Sequence, residues 1–239
     1  MRQSIDESLA RLQTDYVDLY MIHWPRRRMH VEPMLEALDQ VVRAGKARFV
    51  GCSNFPAWLV ARCNAVAERN GWLKLVCNQV PYSALNRGIE VEVLPQAVAE
   101  GIAITTYRPL LAGVLAGRYR AGEPIPGDSR GSGDRRLQAW CEKHAYRIER
   151  FECLAADEGL HPAQLAIAWV RSAPGVTAPI VGCSSIAQAE VVLDAFDLEL
   201  TDQLLAAVGA IFENDDEQLR SDDWLYFPKM QRTFELIAR

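Results

Sequence analysis

The chain has 239 residues, of which 49% are hydrophobic and 24% charged, and its formal net charge at pH 7 is −5. This composition is typical of a globular protein and excludes collagen-like or broadly disordered chains. The acidic balance, without any basic stripe, argues against nucleic acid as a partner.

Targeting and metal-binding signals are also missing from the sequence. No apolar run reaches the roughly 18 residues of a membrane helix, and the first residues lack the apolar stretch of a secretory signal. We therefore expect no membrane partner and a cytoplasmic protein. The six scattered cysteines include no C-x-x-C pair, so we expect buried free thiols in a reducing compartment and no metal site.

Helix-like and strand-like segments alternate along the chain. The sequence predicts strands at 16–23, 47–53, 75–80, 102–107 and 178–184. Between and around them it predicts helices at 2–13, 32–44, 56–69, 89–100, about 137–158, 162–172 and about 186–195, with another after Thr201. A loop is predicted at 118–135. This alternation favours one domain with a parallel sheet covered by helices. It does not separate an open doubly wound sheet from a (β/α)8 barrel, although no G-x-G-x-x-G follows a strand.

Polar side chains stand at the end of every predicted strand. They are His23, Ser53 with Asn54, Asn78 with Gln79, Tyr107, and the turn at 182–185. Ligands gather at the carboxyl ends of strands in both architectures, so these residues predict one pocket lined by hydrogen-bonding groups. Structural alternatives remain open at this point. Ser53 and Asn54 could cap the helix near Pro56, Tyr107 could belong to the core, and the turn at 182–185 could start a helix or seat a phosphate.

Five segments, in this order, make the sequence resemble the aldo-keto reductases: SLARLQTDYVDLYMIHWP, VGCSNF, NQVPYSALNR, GIAITTYRPLLAGVLAGRY and APIVGCSSIAQ. The resemblance covers roughly residues 5–200. It implies a (β/α)8 barrel that binds NADP, with NAD as the alternative, and that reduces an aldehyde or ketone to an alcohol. A small-molecule carbonyl compound is then the expected substrate.

The resemblance implies roles for residues around the reacting end of the cofactor. His23 matches the family's catalytic histidine, which orients and polarises the substrate carbonyl. Ser53, Asn54 and Gln79 match the positions that hydrogen-bond the nicotinamide carboxamide. Tyr107 matches the aromatic residue that stacks on the nicotinamide ring, which would fix the face from which hydride leaves.

Further matches concern the phosphate and adenine end of the cofactor. Pro109, Leu110 and Gly113 match a loop that runs past the pyrophosphate. Ser184 and Gln188 match positions near the adenosine 2′-phosphate and the adenine. The segment between Gly182 and Val192 holds no Arg or Lys. NADP is therefore implied by the family's habit alone.

The sequence departs from the family in its catalytic acid. The family's Asp, Tyr and Lys precede the histidine, but only 22 residues precede His23 here. Tyr16 and Tyr20 alternate onto the strand face opposite His23, which makes them poor substitutes. We therefore expect an α/β chain that is an incomplete (β/α)8 TIM barrel, with about five of eight βα units.

The expected organisation is a single truncated barrel domain over 1–239, with a C-terminal tail at 213–239. Aromatic residues of that tail either line the substrate pocket or pack on the outside. Open barrel edges would permit self-association. Loss of an acid typically costs about 10²–10⁴-fold in rate, so weak activity or none is expected. The alternative is a non-catalytic module that binds a nicotinamide nucleotide or another protein.

Overall fold

The computed structural model describes residues 2–26, 29–119, 123–127, 132 and 134–213. Within these ranges the elements are α1 (Arg2–Leu12), β1 (Val17–Ile22), α2 (Val31–Arg43), β2 (Ala47–Ser53), α3 (Ala57–Asn70), β3 (Cys77–Pro81), α4 (Val93–Glu100), β4 (Ala103–Tyr107), α5 (Arg135–Lys143), α6 (Ala145–Asp157), α7 (Pro162–Ser172), β5 (Val176–Ile180), α8 (Ile186–Asp197) and α9 (Asp202–Phe212). Short 3₁₀ helices lie at Gly88–Glu90 and Leu111–Ala116. No helix of this described part combines the length and the hydropathy needed to cross a membrane.

The five strands form one parallel sheet in the order β1-β2-β3-β4-β5. Val17 of β1 pairs with Ala47 of β2, and Cys52 of β2 pairs with Asn78 of β3. Each strand lies beside its predecessor, so the order never reverses as it does in a doubly wound sheet. The prediction of an α/β fold is confirmed, and the sheet is consistent with part of a (β/α)8 barrel.

Among the described residues, β1 is the first strand of the sheet and has a neighbouring strand on one side, so it is an edge strand. No residue of β1 is fully buried, whereas Val50 and Cys52 of the neighbouring β2 are 1% and 0% exposed. Phe49, also on β2, is 54% exposed although it is aromatic. The Phe49 side chain is therefore poorly covered, although Ala47 at the start of β2 is 3% exposed.

The described residues fall into two compact units. The first unit contains residues up to 80 and 90–105, and the second contains 81–89 and those from 106 onward. In the first unit, Ile5 and Leu9 of α1 pack against Val41 of α2 and Ala47 of β2. In the second, Ile167 of α7 packs against Val192 and Ala195 of α8. The single domain at 1–239 stays a prediction, and the tail beyond residue 213 lies outside the described residues.

Several predicted boundaries are wrong, for local reasons. The helix expected at 137–158 is two helices, because buried His144 adopts φ −105° and ψ 13° between α5 and α6. The helix expected from residue 89 begins at Val93, after a 3₁₀ turn. The last strand ends at Ile180 and not at 184. Four of the six cysteines are buried, but Cys153 and Cys183 are exposed.

Candidate active site

A hydrogen-bond network joins the carboxyl ends of β1, β2 and β3. The Asn54 side-chain nitrogen Nδ2 donates to the backbone oxygen of His23 at 3.1 Å and to Ser53 Oγ at 2.9 Å. The backbone oxygen of Gln79 accepts from Asn54 N at 2.8 Å and from Ser53 Oγ at 2.9 Å. The structure thus brings together all four site residues predicted in the first unit.

Asn54 reaches these partners through an unusual backbone conformation. Its φ of +64° lies in the left-handed region, which asparagine tolerates better than most residues with a side chain. Asn54 and Ser53 are 1% and 2% exposed, so their polar atoms depend on protein partners. The capping alternative is wrong, since α3 has Pro56 at its N-cap and no side-chain cap bond.

His23 and Gln79 are the more accessible members of this group. His23 is exposed, and its ring centroid lies 5.8 Å from that of Trp24, with the rings tilted by 50°. Gln79 is half-buried, and its carboxamide makes no hydrogen bond within the part of the chain that the structure describes. Both donors of Asn54 Nδ2 are used internally. The imidazole and the Gln79 carboxamide can therefore meet a ligand, while Asn54 holds the backbone in place.

Asn78 supports the same region, a role that the sequence analysis missed. Its Nδ2 donates to the backbone oxygen of Phe55 at 2.8 Å, and its Oδ1 accepts weakly from Phe55 N at 3.5 Å. Asn78 is 1% exposed and Phe55 is equally buried. A buried amide on a strand needs such partners, so an asparagine inside an otherwise apolar strand is the signal that could have pointed to this brace.

The two tyrosines near His23 are held on other parts of the strand. Tyr16 lies just before β1, and its hydroxyl accepts from Arg48 Nη2 at 3.0 Å. Tyr20 packs against the cluster that contains Ile5 and Leu9, and burial raises its pKa. A buried phenol with a raised pKa is a weaker proton donor than a free one. These contacts support the expectation that neither residue replaces the family's acid.

Tyr107 ends β4, in the second unit. Its side chain is half-buried, and burial raises its pKa to about 12, although the Arg108 cation acts in the opposite direction. The phenol therefore stays neutral through the physiological range. Arg108 follows with φ +60°, and Pro109 after it is buried. A neutral aromatic ring at a strand end is suited to stacking on a planar ligand.

The segment 110–113 turns sharply beyond Pro109. Leu110 has φ −94° and packs against the cluster formed by α7 and α8. Gly113 has φ +102°, a conformation that favours glycine. Val181, just after β5, packs against the same cluster as Leu110. Both the segment 110–113 and the approach to α8 therefore rest on one apolar support.

The start of α8 closes on itself through side-chain hydrogen bonds. Ser185 Oγ accepts from Gln188 N at 3.2 Å, and Gln188 Oε1 accepts from Ser184 N at 2.8 Å and from Ser184 Oγ at 2.9 Å. Ser184 and Gln188 are exposed. An exposed helix N-terminus with hydroxyl groups favours anions, because backbone N–H groups and the helix dipole point outward there.

Comparison with known proteins gives a consistent result. The model of the "Aldo/keto reductase family" matches residues 1–213. The chain is 34% identical to "Uncharacterized oxidoreductase YrpG" of Bacillus subtilis over 89% of its own length and 63% of the relative's. It is 32% identical to "Protein tas" of Escherichia coli over 89% and 66% of the two chains. It is 28% identical to "Norsolorinic acid reductase stcV" of Emericella nidulans over 93% and 58%. The chain thus spans under two thirds of the length of these curated relatives.

Proposed function

Because the chain belongs to the aldo/keto reductase family, we propose that it carries the cofactor-binding part of an oxidoreductase that reduces an aldehyde or ketone to an alcohol with NADPH, or with NADH. The observation that carries this proposal is the network in which Asn54 fixes the ends of three adjacent strands. In this network His23 and Gln79 lie at the carboxyl ends of their strands, where ligands of parallel α/β folds bind.

Residues of each unit, taken by itself, offer groups that suit part of a nicotinamide cofactor, which supplies the hydride when bound. The Gln79 carboxamide offers both a donor and an acceptor to the nicotinamide carboxamide. Tyr107, a phenol whose pKa burial raises further above the physiological range, offers an uncharged aromatic face to the ring. The exposed N-terminus of α8, with Ser184 and Gln188, suits the adenosine 2′-phosphate or the adenine of the cofactor. NADP is proposed over NAD because the family usually uses NADP. The sequence itself adds no support, since no basic side chain stands between Gly182 and Val192 to hold a 2′-phosphate.

His23 is proposed to orient the substrate carbonyl. An imidazole N–H can donate a hydrogen bond to the carbonyl oxygen and polarise it. The His23 backbone oxygen is held by Asn54 Nδ2, which limits how far the residue can shift from the end of β1. Holding His23 in one position would contribute to the reaction rate, because the substrate carbonyl must lie close to the hydride donor and face it.

We propose that the catalytic acid comes from polypeptide beyond the described residues, so that this chain alone is weakly active. Tyr16 and Tyr20 are engaged away from the carboxyl end of β1. The relatives are longer than the match, and β1 is an open edge at which further parallel strands could pair. An incomplete barrel of this kind retains the cofactor residues of β2 to β4 without its proton donor.

Cofactor binding is tested by titrating the chain with NADPH and with NADH, followed by quenching of tryptophan fluorescence. We expect saturable binding, weakened at least tenfold in Tyr107→Ala because the stacking partner is lost. Tyr146→Ala serves as the matched control, since Tyr146 is 70% exposed on α6. Failure to bind either nucleotide at millimolar concentration would overturn the proposal.

A second candidate function is a module that binds the nucleotide without catalysis. It is favoured by one observation: Tyr16 and Tyr20, the tyrosines nearest His23 in the sequence, are engaged elsewhere. NADPH oxidation that depends on an added aldehyde, and that disappears in His23→Ala, supports the reductase. Binding without any turnover, even at high enzyme concentration, supports the module.

Self-association through the open edge is also proposed. Phe49 is 54% exposed on β2, next to the edge strand. Light scattering over a range of concentrations should show assembly that Phe49→Lys reduces. Val98→Lys is the control, because Val98 is 63% exposed on α4 and away from the strands. A chain that stays monomeric throughout contradicts this proposal.

A further inference from the structure

The turn from Leu111 to Gly113 contains three successive residues in the left-handed region. Their φ angles are +44° at Leu111, +60° at Ala112 and +102° at Gly113. Only the glycine adopts such an angle without a steric penalty. Leu111 and Ala112 are strained by the contact between Cβ and the backbone, so the surrounding structure must hold them.

Local hydrogen bonds account for part of this restraint. Leu111 N donates to the backbone oxygen of Arg108 at 2.9 Å, and Gly113 N donates to that of Leu110 at 2.9 Å. Leu115 N donates to the same Leu110 oxygen at 3.2 Å. These bonds close the turn from within. None of these three bonds involves the backbone oxygen of Ala112.

Tyr119 supplies that restraint from seven residues away. Its hydroxyl donates to the backbone oxygen of Ala112 at 3.0 Å, and the side chain is buried, with 4% exposed. Its ring also lies against Gly113, where an added Cβ would meet Cε2 at 3.4 Å and the hydroxyl oxygen at 3.5 Å. One aromatic side chain thus fixes the strained carbonyl and fills the space that the glycine leaves.

We propose that Tyr119 is a positioning residue that sets the turn 111–113 in the conformation that receives the cofactor's pyrophosphate. This inference rests on the proposed function and on the family resemblance, which implies that Leu110 and Gly113 run past the cofactor's pyrophosphate. Tyr119 need not touch the cofactor. It acts by holding the Ala112 carbonyl, and with it the course of the backbone through the turn.

The test compares the dissociation constant for NADPH of the unaltered chain with that of Tyr119→Phe. We expect binding to weaken roughly three- to tenfold, the change that one lost hydrogen bond brings. Tyr146→Phe makes the same chemical change at an exposed tyrosine and should leave binding unchanged. Equal affinity of Tyr119→Phe and the unaltered chain overturns the inference. If the unaltered chain binds no nucleotide, the proposed function fails instead.

A second variant separates positioning from general stability. Glycine accepts a φ of +60° freely, so Ala112→Gly removes the strain that the hydroxyl opposes. We expect Ala112→Gly/Tyr119→Phe to bind NADPH more tightly than Tyr119→Phe, with affinity restored to within about threefold of the unaltered chain. If the Tyr119 hydroxyl only stabilises the fold, Tyr119→Phe should lower the melting temperature, and adding Ala112→Gly should not restore the affinity for NADPH. If Tyr119→Phe does not fold, the double variant decides: near-normal affinity supports the inference, and weak binding by a folded double variant overturns it.

Discussion

Replacement of Asn54 by alanine should destabilise the fold by about 3–4 kcal/mol. The side chain provides two buried hydrogen bonds, to His23 O and Ser53 Oγ, which contribute about 1 kcal/mol each. Alanine must also adopt the φ of +64°, at an added cost of about 1–2 kcal/mol. Asn54→Gly loses the same hydrogen bonds but avoids most of the backbone cost, so it should lose only about 2–3 kcal/mol.

Urea denaturation followed by tryptophan fluorescence and circular dichroism measures these free energies of unfolding. Asn70→Ala is the control, because Asn70 is exposed at the end of α3 and its side-chain nitrogen donates to the Val66 oxygen of the same helix. It should change stability by less than about 0.5 kcal/mol. An Asn54→Ala variant within about 1 kcal/mol of the unaltered chain would refute the reasoning. So would a glycine variant that is less stable than the alanine variant.

Three further predictions concern packing, thiols and ionisation. Gly51→Ala should cost about 1–3 kcal/mol in urea denaturation, because its Cβ would lie 2.8 Å from the Cys77 oxygen, whereas Gly127→Ala meets nothing within 4 Å and should be neutral. A thiol reagent should react rapidly only with Cys153 and Cys183 in the native chain and with all six thiols in denaturant; more than two fast thiols would contradict the burial. Burial raises the pKa of Tyr107 to about 12 from 10.0, so its contribution to stability is complete below pH 10 and is lost as the pH rises through 12. Tyr107→Phe should lose less stability over this range, although Cys63 and Cys141, whose pKa values burial also raises, still ionise there, and an identical decline in both proteins would refute it.

The strands were predictable because their composition leaves few alternatives. The segment 47–53 is a strand with the predicted bounds, since its β-branched and apolar residues are followed by a polar turn. The break at His144 was not predictable, because the periodicity of α5 continues into α6 and only tertiary burial of the imidazole interrupts it. Local pattern specifies such elements well, and long-range burial decides where they stop.

The candidate site shows the same division. Strand alternation and order indicated that His23, Ser53 and Gln79 would lie together at the carboxyl end of the sheet, since parallel strands end on the same side. The left-handed φ of Asn54 and the brace from Asn78 to Phe55 could not be read from spacing, because both depend on hydrogen bonds across neighbouring strands. Sequence indicated the chemical groups, and the structure shows the supports that hold them.

If the proposed roles are right, these supports predict that cofactor affinity and turnover can be separated in this chain. Ser53 and Gln79 belong to β2 and β3, each of which has a neighbour on both sides in the sheet. His23 instead follows β1, a strand without a fully buried residue, and the Asn54 amide ties its backbone to the end of β2. Edge strands open more readily than central strands, since fewer contacts must break. The residues proposed to bind the nicotinamide should therefore keep their geometry whatever packs beside β1, whereas the orientation of His23, and with it the rate, should depend on what covers that strand.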